Sequence, residues 1–291
     1  MISLRSLAVR SLQSGLPRYV LRPLSTATAS TAVPKNLQPG PNWLSNPLVE
    51  TPLGTLDLTK APTNVRSQVW QLYVTTLPRI APKSTKPPKK TTLHWMLQNA
   101  ESSEELDLAL QLTHQWRMSM RPITQATTDL WVTACIRLRH PEPFLTMLND
   151  RWKYRQLPIN HNMARFIKLY AYLGSKKPEN MDQLLDDAFR VFALYPFYDL
   201  SYDAAAYGAL VQVCCSIGTE EAWRRALVVA EEALAGNTPN ITRAALKDLE
   251  TKSRRMGEVD MAERYRELAE VAQKEEVREA KFDDKGNFIN W

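Results

Sequence analysis

Four histidines, three cysteines and several paired acids are the side chains here with the chemistry of nucleophiles, acid–base groups or metal ligands. The histidines are His94, His114, His140 and His161; no HExxH occurs and no Cys and His stand at zinc-ligand spacing. The phosphate loop GxxxxGK[ST], the dinucleotide fingerprint GxGxxG and the hydrolase elbow GxSxG are absent as well. Glu104-Glu105, Asp186-Asp187 and Glu231-Glu232 are adjacent acids, often near helix starts, and read as solvated faces rather than acid–base couples. Cys135, Cys214 and Cys215 lie on apolar helical stretches without a CxxC. Neighbouring cysteines on a helix point about 100° apart, so all three read as buried small hydrophobes. The sequence predicts no enzyme, no cofactor and no metal.

Binding chemistry is better represented. Arg79 to Lys90 (RIAPKSTKPPKK) carries Arg79, Lys83, Lys86, Lys89 and Lys90 among three prolines and no acid. Such a run is either a solvated linker or a salt-dependent contact to a phosphate backbone. A second cluster interleaves cations and aromatics: Arg137, Arg139, His140, Arg151, Trp152, Lys153, Tyr154 and Arg155. It suits RNA phosphates and stacking, with Arg151, Lys153 and Arg155 as candidate contacts, or a packed helix with snorkelling cations. The chain closes on residues 282–291, where Asp284 to Asn287 reads as a turn before Phe288, Ile289 and Trp291. That aromatic end is expected either to cap the last helices or to dock on a partner.

Charge divides the chain. The formal net charge is +6, yet the first 49 residues contain no acid and punctuate Ser, Leu, Ala and Val with Arg5, Arg10, Arg18 and Arg22. An acid-free, Arg- and Ser-rich amphipathic start predicts a mitochondrial transit peptide over 1–24, with cleavage after Leu24 in Arg22-Pro23-Leu24-Ser25, and hence a matrix location. Residues 25–99 form a Pro-rich basic arm: Lys35, Lys60, Arg66, Arg79, Lys83, Lys86, Lys89 and Lys90 stand against Glu50 and Asp57. The last 91 residues are net acidic, so the basic balance belongs to the arm. No apolar run is long enough for a membrane span.

Helical periodicity dominates the rest. A helix is expected from Asn64 to Leu77, ended by Pro78, and a short one over Leu93 to Gln98. A capping box from Ser102 to Glu105 opens the next, with Leu106, Leu110, Leu112 and Trp116 facing a core. Further helices are expected at Thr124–Leu138, Pro141–Arg155, Asn160–Leu173, Asn180–Tyr195, Tyr202–Ser216, Glu220–Leu234, Ile241–Arg255 and Glu258–Lys281. No strand alternation is evident, and the fold class is all-α. Within 202–236, Tyr207, Leu210, Val211, Val213 and Cys214 form one apolar face closed by Gly218. Thr219 then caps a helix with Ala222, Ala226, Val229, Ala230 and Ala233 on its inner face. Two-helix units of this kind recur: Pro122, Pro158 and Pro239 each open a first helix, with 36 residues between the first two and 81, about two periods, between the last two.

These units resemble pentatricopeptide repeats. Tyr207, Leu210, Val211, Cys214, Gly218, Ala226 and Pro239 stand at comparable places. Arg165–Tyr170 to Gly174 with Ala188–Phe192 resembles a second copy, and Met256–Asp260 with Ala262, Tyr265 and Leu268 the turn and second helix of a third. The resemblance covers roughly residues 100–275 and implies an α-solenoid within a repeat domain over 100–281. Sequence-reading members of that family place a polar side chain near the start of each first helix against one base. The matching positions here are Thr128, Ala164, Gly208 and Lys247, of which only Thr128 has that chemistry. Address, arm, degenerate repeats and aromatic tail together resemble an accessory protein of the mitochondrial small ribosomal subunit, implying a scaffold that contacts ribosomal RNA and neighbouring small-subunit proteins. A free pentatricopeptide RNA factor and a respiratory-complex assembly factor are the alternatives.

Overall fold

The computed structural model of the chain describes residues 48–51, 54–57, 62, 64–80, 87–176, 180–235 and 240–279. The expected transit peptide, Lys83, Lys86 and the terminal Phe288, Ile289 and Trp291 lie outside those residues.

Two short strands come first, against the expectation of none. β1 (Leu48–Thr51) and β2 (Gly54–Asp57) pair antiparallel, Leu48 opposite Asp57 and Thr51 opposite Gly54. Four-residue strands put two side chains on each face, too few for an alternation to be recognised in sequence.

The other described elements are helical. α1 (Ser67–Ile80) buries Val69, Leu72, Tyr73, Leu77 and Ile80. It runs past Pro78, where the expectation stopped it, and ends two residues later at Ile80. α2 (Lys90–Asn99) is followed by α3 (Ser103–Met118), α4 (Gln125–Leu138) and α5 (Glu142–Asn149). The single helix expected over Pro141–Arg155 is interrupted at Asp150, and α6 (Arg151–Tyr154) is one turn of its own. Asp150 leaves helical geometry and accepts the Lys153 N–H at 2.9 Å, the local bond by which aspartate competes with a helix. α7 (Asn160–Gly174), α8 (Met181–Ala193), α9 (Ala204–Ile217), α10 (Glu220–Leu234), α11 (Arg243–Met256) and α12 (Val259–Glu279) complete the set, with a 3-10 turn at Pro196–Tyr198 before α9.

Helix ends follow sequence chemistry. Ser102, Asp203, Thr219 and Thr242 each accept a hydrogen bond from the backbone N–H three residues on, closing the first turns of α3, α9, α10 and α11. Gly218 and Gly257 end α9 and α11 at φ +74° and +82°, a backbone region that glycine enters without a Cβ clash.

Packing repeats a simple rule. α2 packs on α3, α4 on α5, α7 on α8, α9 on α10 and α11 on α12. The first helices also pack on one another in series, α2 on α4, α4 on α7, α7 on α9 and α9 on α11. One continuous core results, with Trp131, Phe144, Phe166, Tyr170 and Tyr195 among its largest fully buried side chains. Both faces expected within 202–236 lie in it, as do Cys135 and Cys214.

Polar side chains fasten each first helix to the next. Arg137 on α4 donates to the carbonyls of Leu97 at 2.9 Å and Ala100 at 2.8 Å, closing the end of α2. Lys252 on α11 does the same for α9, donating to the Gly218 carbonyl at 3.2 Å. Between them, Asn162 on α7 donates to Asp129 on α4 at 2.5 Å, and Asn160 donates to Asp203 at 3.0 Å. Cations at a helix C-terminus are favoured by its dipole as well as by the orphan carbonyls.

The approach of α9 to α11 sets a specific requirement at Gly208. A Cβ there would lie 2.3 Å from Thr242 Oγ1 and 3.0 Å from its Cγ2, displacing the residue that caps α11. Gly208→Ala is therefore expected to destabilise the protein by about 1–3 kcal/mol, reversing alanine's helix-propensity advantage of about 1 kcal/mol. Urea unfolding at neutral pH checks the sign.

Candidate functional site

The histidines and acids that could have formed a reaction centre are dispersed or structurally engaged. His94 Nε2 lies 2.9 Å from Thr127 Oγ1, and burial, with Lys90 nearby, lowers its pKa. His140 lies between Asp107 (3.5 Å) and Glu142 (2.8 Å), whose hydrogen bonds raise its pKa to about 9. It is charged at neutral pH but faces two carboxylates, so it adds no free positive charge to the surface. Burial pushes the Cys214 and Cys215 thiols up to about 12, which keeps them protonated and unreactive. Among the described residues no group of three or more His, Cys, Asp and Glu could hold a metal ion, and no helix is long and apolar enough to cross a membrane.

Thr128 is not positioned to read a base. It is fully buried, donates to Gln156 Oε1 at 3.0 Å and accepts the Leu157 N–H at 3.1 Å, holding the α6–α7 connection against α4. Ala164 and Gly208 are buried too; of the four matching positions only Lys247 is exposed. The reason is the helix-to-helix packing itself, which turns this side of α4, α7 and α9 into core.

The other candidate cations have distinct surroundings. Arg79 is half-buried in the last turn of α1, whereas Lys89 and Lys90 are exposed where α2 begins. Arg151 donates to the Phe197 carbonyl and to Asp199 Oδ2 (3.2 Å), and its guanidinium lies 5.6 Å and 5.3 Å from the Phe197 and Tyr198 ring centres. It clamps α6 to the α8–α9 connection, a structural role that the sequence does not distinguish from phosphate contact. Lys153 extends over the Tyr154 ring at 5.4 Å. Arg155 closes α6 in left-handed geometry (φ 48°) and is exposed.

What sequence reading missed is how these residues gather on successive connections. Arg121, between α3 and α4, donates to the Pro88 carbonyl at 2.6 Å and covers Trp116 at 4.7 Å, joining that connection to the start of α2. The α6–α7 connection is joined to α4 through Thr128, and the α8–α9 connection to α6 through Arg151. Met118, Met120, Trp152, Leu157, Ile159 and Phe197, six of the exposed large apolar side chains, lie on or next to these connections, and Lys89, Lys153 and Arg155 lie in the same segments. Connections lack the periodicity that betrays a helix face, so their alignment becomes visible only once the helices are packed.

The described residues thus form a set of helices packed together, with exposed apolar and basic side chains on and beside several of the connections. The chain matches no protein-family model, and no curated protein matches its sequence significantly.

Proposed function

We propose that the chain is a non-catalytic helical-repeat scaffold of the mitochondrial small ribosomal subunit, contacting ribosomal RNA and neighbouring proteins. The observation that carries the scaffold reading is the recurrence of fastening between first helices. The Arg137, Asn162, Asn160 and Lys252 bonds span between 33 and 43 residues, the separation expected when one two-helix unit stacks on the next. Pentatricopeptide-like units arranged as a solenoid account for that spacing and for the order in which the helices pack. The matrix address rests on the acid-free, Arg-rich start, and the ribosomal assignment on the resemblance of that address, the basic arm, the degenerate repeats and the aromatic tail, taken together, to an accessory protein of the small subunit.

The mechanism is positional. Lys89, Lys90 and Arg155 neutralise phosphates, the arm with Lys83 and Lys86 extends that contact, and Phe288, Ile289 and Trp291 fix the end of the chain on a neighbour. Burial of Thr128 weighs against the alternative of a free factor that reads transcripts by the repeat code. Affinity capture of the tagged full-length protein from mitochondria tests this reading. Small-subunit RNA and proteins should be enriched together over those of the large subunit; enrichment of respiratory-complex subunits that survives RNase would replace it with an assembly role.

A further inference from the structure

Trp152 is 92% exposed, whereas the other described tryptophans, Trp70, Trp95, Trp116, Trp131 and Trp223, are buried or half-buried. Its position is braced. Asp150 caps α6 through the Lys153 N–H at 2.9 Å, and the Arg155 N–H closes the turn on the Arg151 carbonyl at 2.8 Å. Tyr154 packs inward, its ring 5.9 Å from that of His114, and Arg151 ties the turn to Phe197 and Asp199. The indole therefore projects from an ordered turn, so engaging a ligand requires little further ordering of the backbone.

The charge around it selects the ligand. Lys153 and Arg155 follow the indole one and three residues on along the same turn, Arg155 exposed to solvent, while Asp150 is engaged as a helix cap and Asp199 by Arg151. Lysine is depleted in protein–protein interface cores, whereas an exposed aromatic with cations beside it on the same turn suits single-stranded nucleic acid, base on ring and phosphate on cation. We propose that Trp152 is a stacking platform for an unpaired RNA base, with Lys153 and Arg155 taking the adjacent phosphates. This deepens the proposed RNA contact and rests on that reading; it places recognition on the single turn of α6 rather than on the first-helix positions of the repeat code.

The test uses the full-length protein and a fluorescently labelled single-stranded RNA of about 12 nucleotides, within the range of known binding-site sizes. Trp152→Ala should weaken binding by roughly tenfold, as expected for the loss of one stacked base, with an unchanged melting temperature. Trp152→Phe should stay close to wild type, whereas Trp152→Leu should bind as weakly as Trp152→Ala, because only a π face is lost with leucine. Arg155→Gln should reduce the slope of log affinity against log salt by about one, while Trp152→Ala leaves that slope unchanged. No RNA binding by the wild type, equal binding by Trp152→Ala, or full binding by Trp152→Leu overturns the proposal. If Trp152→Ala instead loses a protein neighbour in capture while binding RNA normally, the surface around Trp152 is a protein interface and the proposal falls. A wild-type protein that captures the small subunit without Trp152-dependent RNA binding would sink this inference and leave the ribosomal reading standing. Trp152-dependent RNA binding without small-subunit capture would do the reverse.

Discussion

Arg66→Ala is expected to destabilise the protein by about 3–5 kcal/mol at neutral pH, the cost of leaving a buried charge without its partner. Glu105 is fully buried at the start of α3. Its Oε1 accepts from the Arg66 Nε and backbone N–H, both at 2.9 Å, while Oε2 accepts from Arg66 Nη2 at 2.9 Å and from the Glu101 N–H at 2.8 Å. The same guanidinium donates to Glu101 and to the Asn99 carbonyl, so one side chain joins the entry to α1, the end of α2 and the start of α3. Alanine leaves the carboxylate only its two backbone donors. Arg66→Lys should recover part of the loss, since an ammonium cannot reproduce the fork.

The pH dependence has a definite sign. Burial alone would raise the Glu105 pKa, but the Arg66 hydrogen bonds, the backbone donors and the Arg66 charge outweigh it, and the folded value is lowered. A carboxylate depressed by folding stabilises the protein above its unfolded pKa, and that contribution disappears as pH falls through the folded value. The difference between wild type and Arg66→Ala should accordingly be largest at neutral pH and shrink in acid, where Glu105 is protonated in both. Urea unfolding across that range measures it; a difference independent of pH would mean that Arg66 acts through packing alone.

Phe166→Ala is expected to cost about 3–5 kcal/mol through lost burial and the cavity left behind. The ring is fully buried on α7, edge-on to Phe144 of α5 at 4.9 Å and to Tyr170 at 5.6 Å. It therefore couples one helix pair to the next, and its loss should weaken the stacking as well as the local core. Phe166→Leu keeps most of the apolar volume and should cost far less. Thermal and urea unfolding followed by helical circular dichroism would separate the two; near-equal effects would place the energy in the aromatic edge contacts rather than in the volume.

Much of the helical order was legible because it depends on local rules. Ser102, Thr219 and Gly218 mark helix ends by their own hydrogen-bonding or backbone freedom, and the apolar face from Tyr207 to Cys214 follows from helical spacing. Features decided by distant partners were not. Glu105 does start α3 as the capping box indicates, but it is no part of a solvated face: its carboxylate is buried and held by Arg66, 39 residues away. Thr128 has the type and position of a base contact, yet Gln156 and Leu157 cover it. The break at Asp150 turns on whether an aspartate caps locally or continues a helix, a choice that periodicity does not decide. Trp152 was visible within a basic and aromatic cluster, but its exposure depends on Tyr154 taking the inward position on α6.

Gradient sedimentation of a mitochondrial lysate, with and without Mg²⁺ chelation, tests the ribosomal scaffold most directly. The protein should migrate with the small subunit and remain with it after chelation separates the two subunits. Recovery at the top of the gradient under both conditions, with the small subunit intact, would contradict the account.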